Sequence, residues 1–387
     1  MLFKFAAALT FSVSAFCWAQ LDPAPDKASG NYLDVGKARL YYEQCGASGA
    51  SLVLLHDGLL HSITWDDVWR PLCANYRVLR YDRRGYGRST ATTAPFAPED
   101  DLYQLMRALK MDRAILVGNS SGAGLALDFA LAHPEMAEGL LLIGPVVHGM
   151  PSSAYFVERG SKNSAPMNRN DVAATAENWS KDRFLISGGH AEARKKLYDA
   201  LLKNPQNLKT GGQFEIRPSP PTVLRLSQIQ APALLIVGDA DIADVIAYAG
   251  AIEAALPVVW FEVWKDTGHL VQLERPDELV ARLNTFVSLA ERKEVSLPPA
   301  TLQTYAGDYQ FFQRTITLSV KGNRLALRLP DMPDKPLFAA SDSRFFVRTT
   351  GVELEFEKDT SGRVTQLVIH NTDGNVIKCP RLSRGWL

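Results

Sequence analysis

Short runs of nearly continuous aliphatic residues, each followed by a stretch with helical spacing, restrict this chain more than any other feature. Leu52–Leu55, Arg77–Tyr81, Ala114–Val117 and Leu140–Ile143 are such runs, and the pattern resumes at Ala233–Val237 and Val258–Val263. A strand with one solvated face alternates apolar and polar residues, whereas a strand covered on both faces reads as an apolar run. Between the runs, residues such as Leu102, Leu105, Met106 and Leu109 recur at the spacing of an amphipathic helix. The expected class is therefore α/β, a mostly parallel central sheet with helices on both faces.

Other segments break that rhythm. Asn31–Gly46 reads as a hairpin turning at Val35-Gly36-Lys37. From about His148 to Val223 the chain is richer in Asn, Ser, Lys and Pro, with helical stretches at Val172–Trp179 and Ala191–Leu202. It reads as an insertion between two strands. After Ala290, the charged, Pro-bearing ERKEVSLPPA reads as a linker (residues 291–300). From Leu302 the pattern turns to period-two alternation, with Gly322-Asn323 and Ser361-Gly362 at hairpin spacing, so residues 301–387 are expected to form a small antiparallel β-domain.

The first residues carry Lys4, an apolar run from Phe5 to about Phe16, and small residues before Gln20. This is the pattern of a signal peptide over residues 1–19, and the run is shorter than the roughly 20 apolar residues that span a bilayer. A secreted or periplasmic protein is expected. Phe16 before Cys17 argues against a lipoprotein attachment. Leu21–Gly30 reads as a tether. The formal net charge of the 387 residues is zero and no basic run stands out, which excludes nucleic acid and anionic membrane as expected partners. Past the leader, Cys45, Cys73 and Cys379 remain. They form no disulfide framework; Cys45–Cys73 is the most plausible bridge, against a plainer reading as buried small hydrophobes. No His/Cys/Asp cluster has ligand spacing, so neither a metal nor a cofactor is expected.

Gly118-Asn119-Ser120-Ser121-Gly122 carries the chemistry. It follows the strand Ala114–Val117 and opens the helix Gly122–Ala132, the setting of a nucleophile elbow, which would project Ser120 above the strand ends. A serine hydroxyl needs a base. Of seven histidines, His269 follows the last apolar strand and shares the carboxyl edge of the sheet with Ser120. His133 ends a helix, His190 falls in the insertion and His370 in the β-domain. His56 and His61 flank the first βα loop and read as structural. The base needs an anion, and Asp241 stands after Ala233–Val237, with Asp239 and Asp244 as rivals. Two N–H donors should receive the oxyanion: Ser121 at the helix start, and Gly58, or next to it Leu59, after the first strand. Leu59 and His148 are expected along the pocket.

The segments LVLLHDGLLHSITWDDVWRPL, YRVLRYDRRGYGRST, AILVGNSSGAGLALDFALAHPEM, LLIVGDADIAD and TGHLVQLERPDELVARLNTF resemble the α/β-hydrolase superfamily, in its order, across most of residues 31–290. The resemblance implies an α/β-hydrolase core at 31–147 and 223–290, a cap at 148–222, and a Ser120, Asp241, His269 triad with oxyanion donors at Gly58 and Ser121. One departure is His56-Asp57-Gly58 where the family usually has His-Gly-x. A serine nucleophile argues against the epoxide hydrolase and haloalkane dehalogenase branches, which use aspartate there. The β-rich tail looks like the domain appended to some exported serine hydrolases. The expected activity is hydrolysis of a small-molecule carboxylic ester or lactone. Amide or carbon–carbon bond hydrolysis by the same triad, and a binding protein reusing the fold, are the alternatives.

Overall fold

The computed structural model describes residues 30–91, 94–210, 214–330 and 334–382. The segment expected to be a signal peptide and nearly all of the expected tether lie outside the described residues. Two eight-stranded sheets organise the rest. The first comprises β1 (Asn31–Val35), β2 (Ala38–Cys45), β3 (Ser51–Leu55), β4 (Arg77–Tyr81), β5 (Ala114–Asn119), β6 (Ala137–Ile143), β7 (Ala233–Gly238) and β8 (Val259–Trp264). Its spatial order is β1-β2-β4-β3-β5-β6-β7-β8. The hairpin β1–β2 joins β4 antiparallel, and every pairing from β4–β3 onward is parallel.

The unbroken apolar runs have the anticipated cause. Val53, Leu55, Leu116, Leu140 and Leu142 enter one core, while Leu52, Leu54, Ile115, Val117 and Leu141 enter the other. On the first face lie α2 (Pro98–Ala108) and α3 (Ser121–Ala132), joined further along the chain by α8 (Ala243–Ala255). On the second lie α1 (Asp66–Cys73) and α10 (Pro276–Ala290). Helix α3 is buried almost all round, from Gly122 to Ala130, which explains its lack of a polar stripe.

Between β6 and β7 the chain leaves the sheet for α4 (Ala154–Ser164), α5 (Val172–Ser180), α6 (Ala191–Lys203) and α7 (Asn207–Thr210). These helices have their own apolar cluster, built on Trp179, Leu185, Ile186, Leu197 and Leu201. Leu60, Leu270 and Leu273 of the core complete it. The insertion therefore packs directly on the loops at the carboxyl edge of the sheet. One of them leads into α9 (Val271–Glu274).

The second sheet follows α11 (Pro299–Tyr305) and is an antiparallel meander: β9 (Gly307–Phe311), β10 (Arg314–Lys321), β11 (Arg324–Arg328), β12 (Lys335–Ala339), β13 (Arg344–Phe346), β14 (Glu353–Lys358), β15 (Val364–His370) and β16 (Val376–Pro380). A bridge between Tyr309 and Arg381, and Leu382 N–H donating to Asp308 O at 2.8 Å, bring its last strand to its first. The sheet is thus barrel-like. Alternation was expected from Leu302, but Pro299–Tyr305 is helical. Pro299 suits the first helical position, and Leu302 and Tyr305, one turn apart, both enter the barrel core. The preceding segment is anchored, with Val295 N–H donating to Ala339 O at 2.8 Å and Arg292 paired with Glu353 at 2.8 Å.

Cys45 at the end of β2 and Cys73 at the end of α1 form a disulfide. The plainer reading of these two as unbridged hydrophobes gives way, while Cys379 stays reduced and buried in the barrel.

Candidate active site

Ser120 stands at φ 56° and ψ −118° between β5 and α3. A non-glycine residue holds such a backbone conformation only where its surroundings dictate it. Here Ser120 N–H donates to Ile143 O at 2.9 Å, and Ser120 O accepts from Gly124 N–H at 3.1 Å. The flanking glycines allow the approach: a Cβ on Gly118 would lie 2.5 Å from Gly122 O, and one on Gly122 only 2.2 Å from Leu55 O. Sterics explain both glycines of the motif.

His269 follows β8 and Asp241 follows β7, and the two meet with His269 Nδ1 2.8 Å from Asp241 Oδ2. Asp241 Oδ1 accepts from Ile242 N–H at 2.7 Å, which fixes the carboxylate plane. The rivals are occupied elsewhere. Asp239 faces Thr267 N–H at 3.4 Å, and Asp244 binds the Ser153 backbone and hydroxyl. Burial lowers the His269 pKa, but the charge and hydrogen bond of Asp241, with help from Asp57, outweigh it and raise the value above 6.5. Gly144, at φ 48°, lies against the pair: a Cβ there would be 2.7 Å from His269 Nδ1.

The loop after β3 occupies one of the two candidate N–H groups. Leu59 N–H donates to Asp57 Oδ1 at 2.7 Å and Leu60 N–H to the same oxygen at 2.9 Å. Leu59 N–H is therefore spent on its own loop. Among the described residues the protein uses neither Gly58 N–H nor Ser121 N–H, and a Cβ on Gly58 would lie 3.4 Å from Ser121 Oγ. His56 has the structural role expected of it: Nδ1 meets Asp57 O at 2.7 Å, while Nε2 accepts Arg83 N–H at 2.9 Å. Burial and the adjacent Arg83 charge hold its pKa well below the usual value, so the ring is neutral and keeps both roles.

Ser120, Gly58, Leu59, Asp241 and His269 line one cavity of about 220 Å³. The insertion contributes Phe156, Arg159, Trp179 and Leu185 to its wall. Arg159 Nε donates to Asp182 Oδ2 at 2.7 Å. Of the expected pocket residues, Leu59 is in place and His148 is not. His148 turns toward α3, where Asp128 lies 2.5 Å from its Nδ1, and its other nitrogen contacts Arg217. A buried carboxylate one helix away outcompetes the cavity for that imidazole.

Two supports escaped the sequence reading. Asn119 Nδ2 donates to Ile143 O at 3.1 Å and His269 O at 3.0 Å, while its Oδ1 accepts from Gln272 at 3.1 Å. This wholly buried amide ties the elbow to the His269 loop. Arg83 Nη2 donates to Ser121 Oγ at 2.8 Å and Asp57 O at 3.2 Å, bracing Ser121 against the Asp57–Gly58 peptide. A polar residue inside the elbow was the only signal available for Asn119; nothing local marks Arg83.

A model of the alpha/beta hydrolase family matches residues 52–283, and one of a domain of unknown function (DUF3471) matches residues 291–379. A 2-hydroxy-6-oxononadienedioate/2-hydroxy-6-oxononatrienedioate hydrolase of Paraburkholderia phymatum is 28% identical over 66% of this chain and 94% of its own length. A pimeloyl-[acyl-carrier protein] methyl ester esterase of Nitrosospira multiformis is 28% identical over 65% of this chain and 99% of its own. Among solved structures, the N-acyl homoserine lactone degrading enzyme Est816 superposes with a TM-score of 0.54 at 25% identity, over 66% of this chain and 100% of its own.

Proposed function

The chain belongs to the alpha/beta hydrolase family, and on that premise we propose that it is an exported serine hydrolase cleaving carboxylic esters or lactones through an acyl-enzyme on Ser120. One observation carries the reading. A serine on a strained elbow, a buried His269–Asp241 pair and an unspent Gly58 N–H border the same cavity, with Ser121 N–H at the elbow.

With Nδ1 held by Asp241, His269 has Nε2 left to accept a proton. Ser120 Oγ attacks the carbonyl carbon as its proton passes to His269, and the carbonyl oxygen takes up negative charge facing Gly58 and Ser121 N–H. One such donor contributes about 3–4 kcal/mol to the transition state. Collapse breaks the C–O bond, and His269 returns its proton to the leaving alkoxide. Water then loses a proton to His269, attacks the acyl carbon and releases the carboxylic acid with Ser120 restored. The cavity of about 220 Å³ favours small acyl groups or a compact lactone ring. The basic start and apolar run of residues 1–19 support export, as does the Cys45–Cys73 bridge, a bond that persists in oxidising compartments.

The same triad serves a second reading, carbon–carbon bond hydrolysis, supported by the hydroxy-oxo-dienoate hydrolase among the relatives. A panel of activated short-chain esters, lactones, amides and a hydroxy-oxo-dienoic acid separates them by the substrate turned over fastest. For Ser120→Ala, kcat on the best substrate should fall by about 10⁴-fold or more. Retained turnover sinks the acyl-enzyme. Failure of the wild-type chain to react with a fluorophosphonate at Ser120 would instead favour a binding protein.

A further inference from the structure

A larger cavity, about 610 Å³ against about 220 Å³, lies away from Ser120 where the open mouth of the C-terminal barrel meets β8 and α10 of the core. An eight-stranded barrel of this size either fills its interior with side chains or encloses one small ligand. This barrel does both. Tyr305, Tyr309, Phe345 and Phe356 pack as one aromatic cluster, Tyr305 stacked on Phe356 and Phe345 edge-on to both, and fill part of the interior. The rest is left open, bordered by Phe311, Ile316, Leu327, Leu354, Ile369 and Ile377. Several of these, Phe311, Leu327 and Ile377 among them, are only partly buried. An apolar wall of this kind gains nothing from water and is completed by an apolar chain.

The charge around the cavity selects the other end of that ligand. Glu262, Arg282 and Lys335 are the charged residues lining it. Glu262 is saturated: it accepts from Arg282 Nε at 2.6 Å, Trp260 Nε1 at 3.0 Å and Trp264 Nε1 at 3.1 Å. Arg282 is thereby neutralised. Lys335 is left over: its Nζ donates to Val259 O at 3.2 Å and forms no ion pair among the described residues, the Glu253 charge acting on it from beyond ion-pair distance. A half-buried ammonium beside an apolar hollow is complemented by an anion that brings its own apolar body.

We propose that the barrel binds one long-chain carboxylate, with its alkyl chain in the apolar hollow and its head group on Lys335. The site is separate from the catalytic cavity and does not depend on the reaction assigned to Ser120. Trp260 lines the hollow and reports on it. Titration of the full-length mature chain with a dibrominated long-chain fatty acid, below its micelle concentration, should quench tryptophan fluorescence saturably with one ligand per chain. The quench should largely disappear in Trp260→Phe. Lys335→Met keeps the apolar wall and should weaken fatty-acid binding by about tenfold, while binding of the matching fatty alcohol stays unchanged. Leu329→Trp, which fills the hollow, should abolish binding of both; circular dichroism verifies that each variant is folded. Absence of saturable quenching overturns the proposal, as does an undiminished quench in Trp260→Phe. Equal affinity for acid and alcohol removes Lys335 as the head-group site. Sedimentation with anionic vesicles without quenching by free fatty acid would make the face a membrane contact and likewise overturn it.

Discussion

The two cavities of this molecule are built on opposite principles. Around Ser120 every position is fixed by buried polar contacts: Asp241 by Ile242 N–H, His269 by Asp241, the elbow by Asn119, and Ser121 by Arg83. Around the barrel hollow the wall is mostly apolar with a few threonines and Asn371, and one ammonium forms no ion pair among the described residues. Chemistry on a carbonyl needs charges and donors preorganised to fractions of an ångström, which only a hydrogen-bonded network in a dry setting supplies. Retaining an alkyl chain needs volume and apolar area, which tolerate looser walls. Substitutions near Ser120 should therefore act on kcat, while those in the barrel should act on ligand affinity.

The sharpest break in this contrast is Asp241→Asn. The amide keeps the shape but offers no charge to stabilise the imidazolium, so kcat should fall by about 10⁴-fold. The pH profile tests the cause. His269 must be neutral to accept the Ser120 proton, and its pKa is raised above 6.5 by Asp241 against the opposing effect of burial. Half-maximal activity on the acidic limb should therefore lie above pH 6.5 in the wild type. It should move to lower pH in the variant, where burial acts with less opposition. A limb that stays in place while kcat collapses would mean that another group sets it.

A smaller loss is expected from Gly144→Ala. The new methyl would sit 2.7 Å from His269 Nδ1 and 3.2 Å from Asp241 Oδ2, at a backbone φ of 48° that suits glycine. Displacing the imidazole by a fraction of an ångström should cost about 10²-fold in kcat with KM little changed. Steady-state kinetics with a far-ultraviolet dichroism control decide it. An unaltered kcat would show that the pair tolerates more play than its network implies.

The fold, and the meeting of Ser120, Asp241 and His269 around one cavity, were largely legible in the sequence, because both are written in local signals. A Gly-x-Ser-x-Gly turn between an apolar run and a helix has few other uses, and loops that follow parallel strands share one edge. What stayed open turns on side-chain contacts that position in the sequence does not reveal. Asp241 and Asp239 are equivalent by position, and only the meeting with His269 separates them. Gly58 and Leu59 are separated by the Asp57 carboxylate turning back on Leu59 N–H. His148 was drawn from the pocket by Asp128, a residue on another element. In the barrel, period-two patterning announced strands and hairpin turns, but neither the return of β16 to β9 nor the hollow follows from alternation. Both are set by how many strands close and which side chains meet inside.

The disulfide offers the last test, because it braces one region and leaves the other untouched. Cys45–Cys73 closes a loop with a sequence separation of 28 between β2 and α1 of the core, while Cys379 of the barrel is unbridged. Restricting a loop of that length in the unfolded chain stabilises the core by about 3–4 kcal/mol on chain-entropy grounds. The double substitution Cys45→Ala, Cys73→Ala should thus lower the melting temperature of the hydrolase core by several degrees. Turnover at 25 °C should remain within about twofold, since neither residue touches the catalytic cavity. Calorimetry separates the outcomes. If the core transition alone moves, the two regions melt as distinct cooperative units. If barrel and core shift together, the contacts of Arg292 with Glu353 and of Val295 with Ala339 couple them into one, and fatty-acid binding in the barrel should then raise the melting temperature of the core as well.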